Sequence, residues 1–392
     1  MYSKEILPEL RIRWKKIQDA MKEQGTEALL LTSSVNLYYA SGRVFNGFAF
    51  FTSDEEPVFF VRRPFGFLAG TLYYIRKPEE MVAQLTSLNR FPQTNIALEA
   101  DSLSYTEYNR LASLFPEIEK RNGTPLIREV RAVKSDYELE KMRESGRRHD
   151  AMYSHVSAVF EEGMTDLEMS SELEYIGRQL GNLGLFRIFG SSMETYTGSV
   201  LAGDNADNPS PYDFSMGGEG IDPSLPMGAN GTVLRPGMSL MIDLGGNFNG
   251  YMTDMSRTFA IHKINNPLAI EAHRLSVAIQ EAIKIMAKPG VAVKDLYAVA
   301  LEMVKEKNLE AYFMGHNQQA AFIGHGVGIE INELPVITPR SQHLLKVGMT
   351  FALEPKFVIP GVGAVGVENT FAVHQEGVEQ LTNFPEDLQE LF

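Results

Sequence analysis

The chain contains no cysteine and a single tryptophan among its 392 residues. Without cysteine there are no disulfides and no thiolate ligands, so any metal must be held by oxygen and imidazole. The same absence fits a reducing cytoplasm. Positive charge is also scarce: 36 Lys and Arg face 50 Asp and Glu, for a net charge of −14. Nucleic-acid and anionic-membrane partners require a basic face, and this balance argues against both. No apolar run reaches the roughly 18 residues that a bilayer span needs. The opening MYSKEILPELRIRWKK is charged where a secretory signal has an apolar core. A soluble cytoplasmic protein is expected. The apolar fraction of 44% and the charged fraction of 22% are those of an ordinary globular chain, long enough for two domains.

The first part alternates helix and strand signals. Leu10, Trp14, Ile17 and Met21 recur at helical spacing across 8–24. Short apolar strands are expected at 28–31, 38–40, 47–51 and 58–61. A helix near 78–88, a strand at 95–98 and a helix near 105–115 complete a β/α domain over residues 1–125. The polar, turn-rich Arg121-Asn122-Gly123-Thr124-Pro125 marks its end. A second domain over residues 130–392 opens with two capping boxes, Ser135 with Glu138 and Thr165 with Glu168. Helices towards Phe160 and Leu180 follow, then strand-like segments at 186–189 and 199–202 and a Gly/Pro/Asp-rich loop from 203 to 237.

Next comes IDLGGNFNGYMTDMSRTF, residues 242–259, with a Gly/Asn turn between two apolar strands. A hairpin centred on Phe248-Asn249 sets Asp243 directly opposite Asp254, with Cβ atoms ~4.5–5.5 Å apart. Two carboxylates so close repel unless a proton or cation lies between them. A solvated hairpin tip is the plain alternative. Yet Asp243 follows Ser239-Leu240-Met241-Ile242, a stretch that reads as buried and is a poor place for an unpaired charge. The element order then recurs: helices over 267–287 and 293–307, and a second hairpin centred on Gly361 that places Glu354 opposite Glu368. Two helix–helix–hairpin halves around one shared site are expected.

Between the hairpins stands His325, framed as Gly324-His325-Gly326. Four carboxylates and an imidazole are too many ligands for one four-coordinate zinc. They suit two divalent ions ~3.5–4 Å apart. The oxygen-rich set leans towards manganese, with cobalt, iron or zinc as alternatives.

The order Asp243, Asp254, His325 in its glycine frame, Glu354 before proline and Glu368 before Asn-Thr resembles the pita-bread metallopeptidases, the creatinase, aminopeptidase P and prolidase group. The 32–42 stretch, TSSVNLYYASG, resembles that group's N-terminal domain, and Val130–Ser135 its linker. The resemblance implies a two-domain α/β fold, a creatinase-like N-terminal domain followed by a pita-bread domain. It implies two metals on Asp243, Asp254, His325, Glu354 and Glu368, with Asp254 and Glu368 bridging. A bridging hydroxide would attack the scissile carbonyl, and Glu354 would handle its proton. Xaa-Pro dipeptidase or aminopeptidase P activity and a homodimer follow as expectations.

Three family histidines are missing, their places taken by Ser210, Ala321 and Asn332. Asn332 keeps a hydrogen-bond donor but cannot shuttle protons, Ser210 offers a hydroxyl, and Ala321 offers neither. Ser210, Asn332 and the nearby His316 are the candidate substrate-binding residues. Met193, Glu194 and Tyr196 are candidates for the substrate mouth, and Arg257 for supporting a ligand carboxylate. The departures keep two other readings open: a same-fold metal-dependent hydrolase or lyase for a small non-peptide substrate, and a non-catalytic interaction protein.

Overall fold

A computed structural model of the chain describes residues 6–66, 70–190, 197–212 and 215–392. The candidate mouth residues Met193, Glu194 and Tyr196 lie outside these. The chain divides into two compact units, Met1–Arg131 and Ala132–Phe392. The 121–125 stretch, expected to mark the division, instead closes a strand and opens a helix inside the first unit.

The first unit contains α1 (Leu7–Glu23), β1 (Ala28–Leu31), α2 (Ser34–Ser41), β2 (Asn46–Thr52), β3 (Val58–Arg63), β4 (Thr71–Tyr74), α3 (Glu80–Ser87), β5 (Asn95–Leu98), α4 (Tyr105–Ala112) and β6 (Glu119–Asn122). Helix α5 (Thr124–Ala132) ends it. Its sheet has the order β4-β3-β2-β1-β5-β6, with β1 antiparallel to β2 and parallel to β5. Residues 38–40, expected as a strand, belong to α2. The caps decide this: the Ser33 side chain accepts the Asn36 N–H, and Gly42 ends the helix in the left-handed region at φ 73°. Three apolar residues alone cannot distinguish strand from helix.

The second unit repeats one element order. Helices α6 (Asp136–Tyr153), α7 (Val156–Val159) and α8 (Asp166–Gln179) precede β7 (Gly198–Ala202), β8 (Ser239–Asn247) and β9 (Met252–Ile261). Both expected capping boxes form, at Ser135 and Thr165. Helices α9 (Pro267–Met286) and α10 (Val293–Glu306) then precede β10 (Gly324–Gly326), β11 (Glu333–Val336), β12 (Thr350–Leu353), β13 (Lys356–Ile359), β14 (Gly363–Gly366), β15 (Asn369–His374), β16 (Gly377–Gln380) and β17 (Gln389–Leu391). The sheets run β17-β9-β8-β7, β11-β10-β12-β15-β16 and β13-β14. One core packs Met152, Met169 and Leu173 against Val200, Ile242 and Phe259. A second packs Ile279, Ile283 and Val304 against Phe351, Leu353 and Phe371. Each helix pair thus backs one acidic hairpin. Residues 186–189 form no strand but an extended segment held by Asn332 and by the Ile331 N–H.

Candidate metal centre

The first hairpin pairs Asp243 with Ser256 and Gly245 with Asp254. The register is therefore two residues away from the one expected, and the two aspartates are diagonal rather than opposite. A shift of two keeps both side chains on one face. The cause is local. β8 stays extended through Gly245 and Gly246, and a Cβ on Gly245 would lie 2.0 Å from the Phe186 ring. These glycines serve close packing, and the turn falls later, where Asn247 Oδ1 accepts the Gly250 N–H.

The second hairpin keeps the expected register on both sides: Leu353 pairs with Asn369, and Lys356 with Gly366. Glu354 and Glu368 occupy the break between these two ladders. Their backbone N–H groups donate elsewhere, Glu354 to Ile323 O (2.9 Å) and Glu368 to Ser256 O (3.1 Å). The latter bond ties the two hairpins together. His325 sits on β10 beside Ala352. Its glycine frame admits neighbouring strands rather than a ligand: a Cβ on Gly324 would lie 2.2 Å from Ala352 O, and one on Gly326 2.2 Å from Leu334 O.

These strands converge the five residues into two overlapping trios, Asp254-His325-Glu368 and Asp243-Glu354-Glu368, each with ligand atoms within 4.8 Å of one another. His325 Nε2 lies 3.5 Å from Glu354 Oε1 and 3.8 Å from Asp254 Oδ2.

A sixth residue, which the sequence pattern does not mark as part of the site, enters the second trio. Lys356 Nζ donates to Asp243 Oδ2 (2.8 Å), Glu354 Oε2 (2.8 Å) and Glu368 Oε2 (2.9 Å), and reaches Ser215 Oγ at 3.2 Å. Its side chain is fully buried. Lys356 opens β13 two residues past Glu354, just after the break between the two ladders. Burial opposes its charge, but Asp243, Glu354 and Glu368 hold its pKa well above the ordinary lysine value.

The other trio remains short of positive charge. Burial, then the nearby Asp243, push the Asp254 carboxyl well above the usual range; burial, then Asp254, do the same to Glu368. Glu368 Oε2 is engaged by Lys356 and by the Ser256 hydroxyl (2.6 Å), whereas Oε1 is buried with no hydrogen-bond partner among the described residues. Two carboxylates and an imidazole with an orphaned buried oxygen fit a divalent cation.

The remaining candidates bond elsewhere. The Asn332 amide clamps the Phe189 backbone with two 2.8 Å bonds. Ser210 Oγ donates to Pro226 O at 3.2 Å. His316 bonds Asp207 at 2.9 Å and stacks on Tyr312. None of these partners belongs to the carboxylate cluster, and Ala321 is exposed. Among the described residues, Arg257 hydrogen-bonds no ligand carboxylate oxygen. It points from the other face of β9 and donates to Glu368 O (2.8 Å) and Asn369 Oδ1 (2.8 Å), bracing the backbone that carries Glu368.

Fold and site together define a pita-bread protein with a carboxylate-histidine cluster suited to divalent metal. The model for metallopeptidase family M24 matches residues 140–375, and that for the creatinase/prolidase N-terminal domain matches 13–133. The chain belongs to metallopeptidase family M24. It is 25% identical over 394 residues to an Xaa-Pro dipeptidase of Lactobacillus delbrueckii subsp. lactis, covering 96% of this chain and 98% of that one. A solved Xaa-Pro dipeptidase from Bacillus anthracis superposes with a TM-score of 0.79 at 23% identity, covering 97% of this chain and all of that one (100%). The N-terminal domain of a FACT complex subunit from Cicer arietinum shares the fold as well, with a TM-score of 0.71 at 14% identity over 96% of each chain.

Proposed function

We propose that this metallopeptidase hydrolyses short peptides, Xaa-Pro dipeptides foremost, at the centre formed by Asp243, Asp254, His325, Glu354 and Glu368. The observation that carries the reading is the convergence of all five residues into two trios sharing Glu368, on a chain of family M24. A bound divalent ion supplies Lewis acidity, polarising the scissile carbonyl and lowering the pKa of water. Asp254, His325 and Glu368 would hold it, and manganese suits their oxygen-rich character. Glu354, with one oxygen on Lys356 and the other facing His325, is the group that takes and returns a proton in this reading. Ser210, Asn332 and His316 act on substrate through the loops they hold, Asn332 by fixing the backbone at Phe189. We place the protein in the cytoplasm as a homodimer; light scattering should return twice the chain mass.

The test is a panel of Xaa-Pro and Xaa-Ala di- and tripeptides offered to manganese-loaded protein. Cleavage of the Xaa-Pro dipeptides, abolished by Asp254→Ala, is expected. Cleavage of tripeptides alone would redirect the assignment to aminopeptidase P. Loaded protein that cleaves no peptide would favour the second reading, a small non-peptide substrate, which the absent histidines at Ser210, Ala321 and Asn332 support. A shared fold is no guide between catalysis and interaction. Against a purely interacting role stands the cluster of four carboxylates, which the single Lys356 ammonium leaves short of positive charge.

A further inference from the structure

We infer that the Lys356 ammonium permanently occupies the position of one of the two divalent ions, so that this centre takes a single ion, held by Asp254, His325 and Glu368. The inference rests on the metallopeptidase reading and narrows it.

Occupancy is the first argument. Each of the three carboxylates that would bind an ion in the second trio already gives one oxygen to Lys356 Nζ, at 2.8, 2.8 and 2.9 Å. An ammonium has three protons, and the three carboxylates are its nearest acceptors, closer than Ser215 Oγ at 3.2 Å. Transition-metal and magnesium ions bind carboxylate oxygen at ~2.0–2.2 Å. An ion among these oxygens would therefore stand where the nitrogen stands.

The second argument is that Lys356 has nowhere else to go. Its backbone is paired with Gly366 in the β13–β14 ladder, and its side chain is fully buried. Its other polar contact, Ser215 Oγ, lies at the same spot. Turning the ammonium away would bury it unpaired, a costly state for any charge.

Charge balance is the third. Against the four carboxylates, one ammonium and one dication leave a single negative charge. A second dication would reverse that sign and press two cations together. With Lys356 alone, Asp254 and Glu368 still lack a counter-charge, and Glu368 Oε1 lacks a partner. The cluster has room and charge for one more cation.

The measurement is metal stoichiometry of the full-length protein, stripped by chelator, equilibrated with manganese, freed of loose ion and assayed by mass spectrometry of the metal. Manganese paramagnetic resonance on the same samples separates isolated from spin-coupled ions. Wild type is expected to hold one ion per chain with an uncoupled spectrum, and Lys356→Ala two with a coupled one. His325→Ala should hold none at the concentration that saturates wild type. Asp243→Asn should keep its one ion, because Asp243 binds the ammonium and not the metal. Two ions in wild type would overturn the inference and leave the metallopeptidase reading standing. One ion in a folded Lys356→Ala protein, or loss of the ion in Asp243→Asn, would overturn it too. No ion in either wild type or Lys356→Ala would overturn the metal reading itself. Should Lys356→Ala fail to fold, wild type and Asp243→Asn still decide.

Discussion

The two acidic hairpins share an element order but solve different problems. The first, β8 with β9, is one unbroken ladder that holds Asp243 and Asp254 on a common face. The second is two ladders with a gap, and Glu354 and Glu368 stand in the gap. An unbroken ladder fixes its side chains in one register. A broken one frees two N–H groups, and one of them, on Glu368, bonds Ser256 O of the first hairpin. The second hairpin also carries its own cation, Lys356; the described residues of the first place no cation within the cluster. One hairpin is thus a rigid acidic platform, and the other closes onto it with both acid and base.

Removing the cation should break this contrast most severely. Lys356→Met keeps the stem volume but leaves Asp243, Glu354 and Glu368 facing one another in the interior. Breaking a buried ion pair by deleting one partner costs about 3–5 kcal/mol. Metal-free Lys356→Met should therefore unfold at much lower denaturant than wild type. Lys356→Ala, which opens space, should recover stability when manganese is added, while Lys356→Met should recover less. Equal recovery in the two variants would mean that space beside the carboxylates is not what limits binding.

Side-chain parity explains what the sequence disclosed of this site and what it did not. Asp243 and Asp254 were legible as a pair because a strand's period of two survives an error in register, so a shift of two left their common face unchanged. The register itself was not, because Gly245 and Gly246 look like turn residues but serve contacts with Phe186 and His149, which lie far away in the sequence. The α2 helix was misread because an eight-residue element is decided by Ser33 and Gly42 rather than by its apolar residues. Lys356 is not legible in the ligand pattern, because an ammonium is no metal ligand and the break between the two ladders keeps strand parity from linking it to Glu354. The partners of Asn332 and Ser210 are tertiary, and no local pattern announces them.

The bond between the hairpins gives a smaller, sharper test. Ser256 donates its hydroxyl to Glu368 Oε2 at 2.6 Å, while its carbonyl accepts the Glu368 N–H. Ser256→Ala removes the first bond and keeps the second. A hydrogen bond to a charged group contributes about 1.5–3 kcal/mol, and that loss should appear in urea unfolding. Manganese affinity should change as well, because Glu368 loses one of the two partners that orient its carboxylate. Unchanged stability together with unchanged affinity would show that Lys356 and the backbone alone hold Glu368.

The smallest effect belongs to the first hairpin alone. His149 of α6 lies fully buried beneath it, with Nδ1 3.1 Å from Thr253 Oγ1. Burial lowers its pKa to about 3, from an ordinary value of 6.5. The folded state therefore keeps the ring neutral while the unfolded chain takes up a proton below pH ~6.5. Stability from this group is full above that pH and falls as the pH drops from 6.5 towards 3, by about 1.4 kcal/mol per unit. Between pH 7.5 and 5.5, His149→Leu should lose about 1.4 kcal/mol less than wild type in the transition that unfolds the second unit. His273, also buried and lowered in pKa, titrates in both proteins and cancels from the difference. If the two proteins lost stability in parallel, the ring beneath the first hairpin would have to be able to accept a proton in place. The acid sensitivity of that platform would then come from the carboxylates above it.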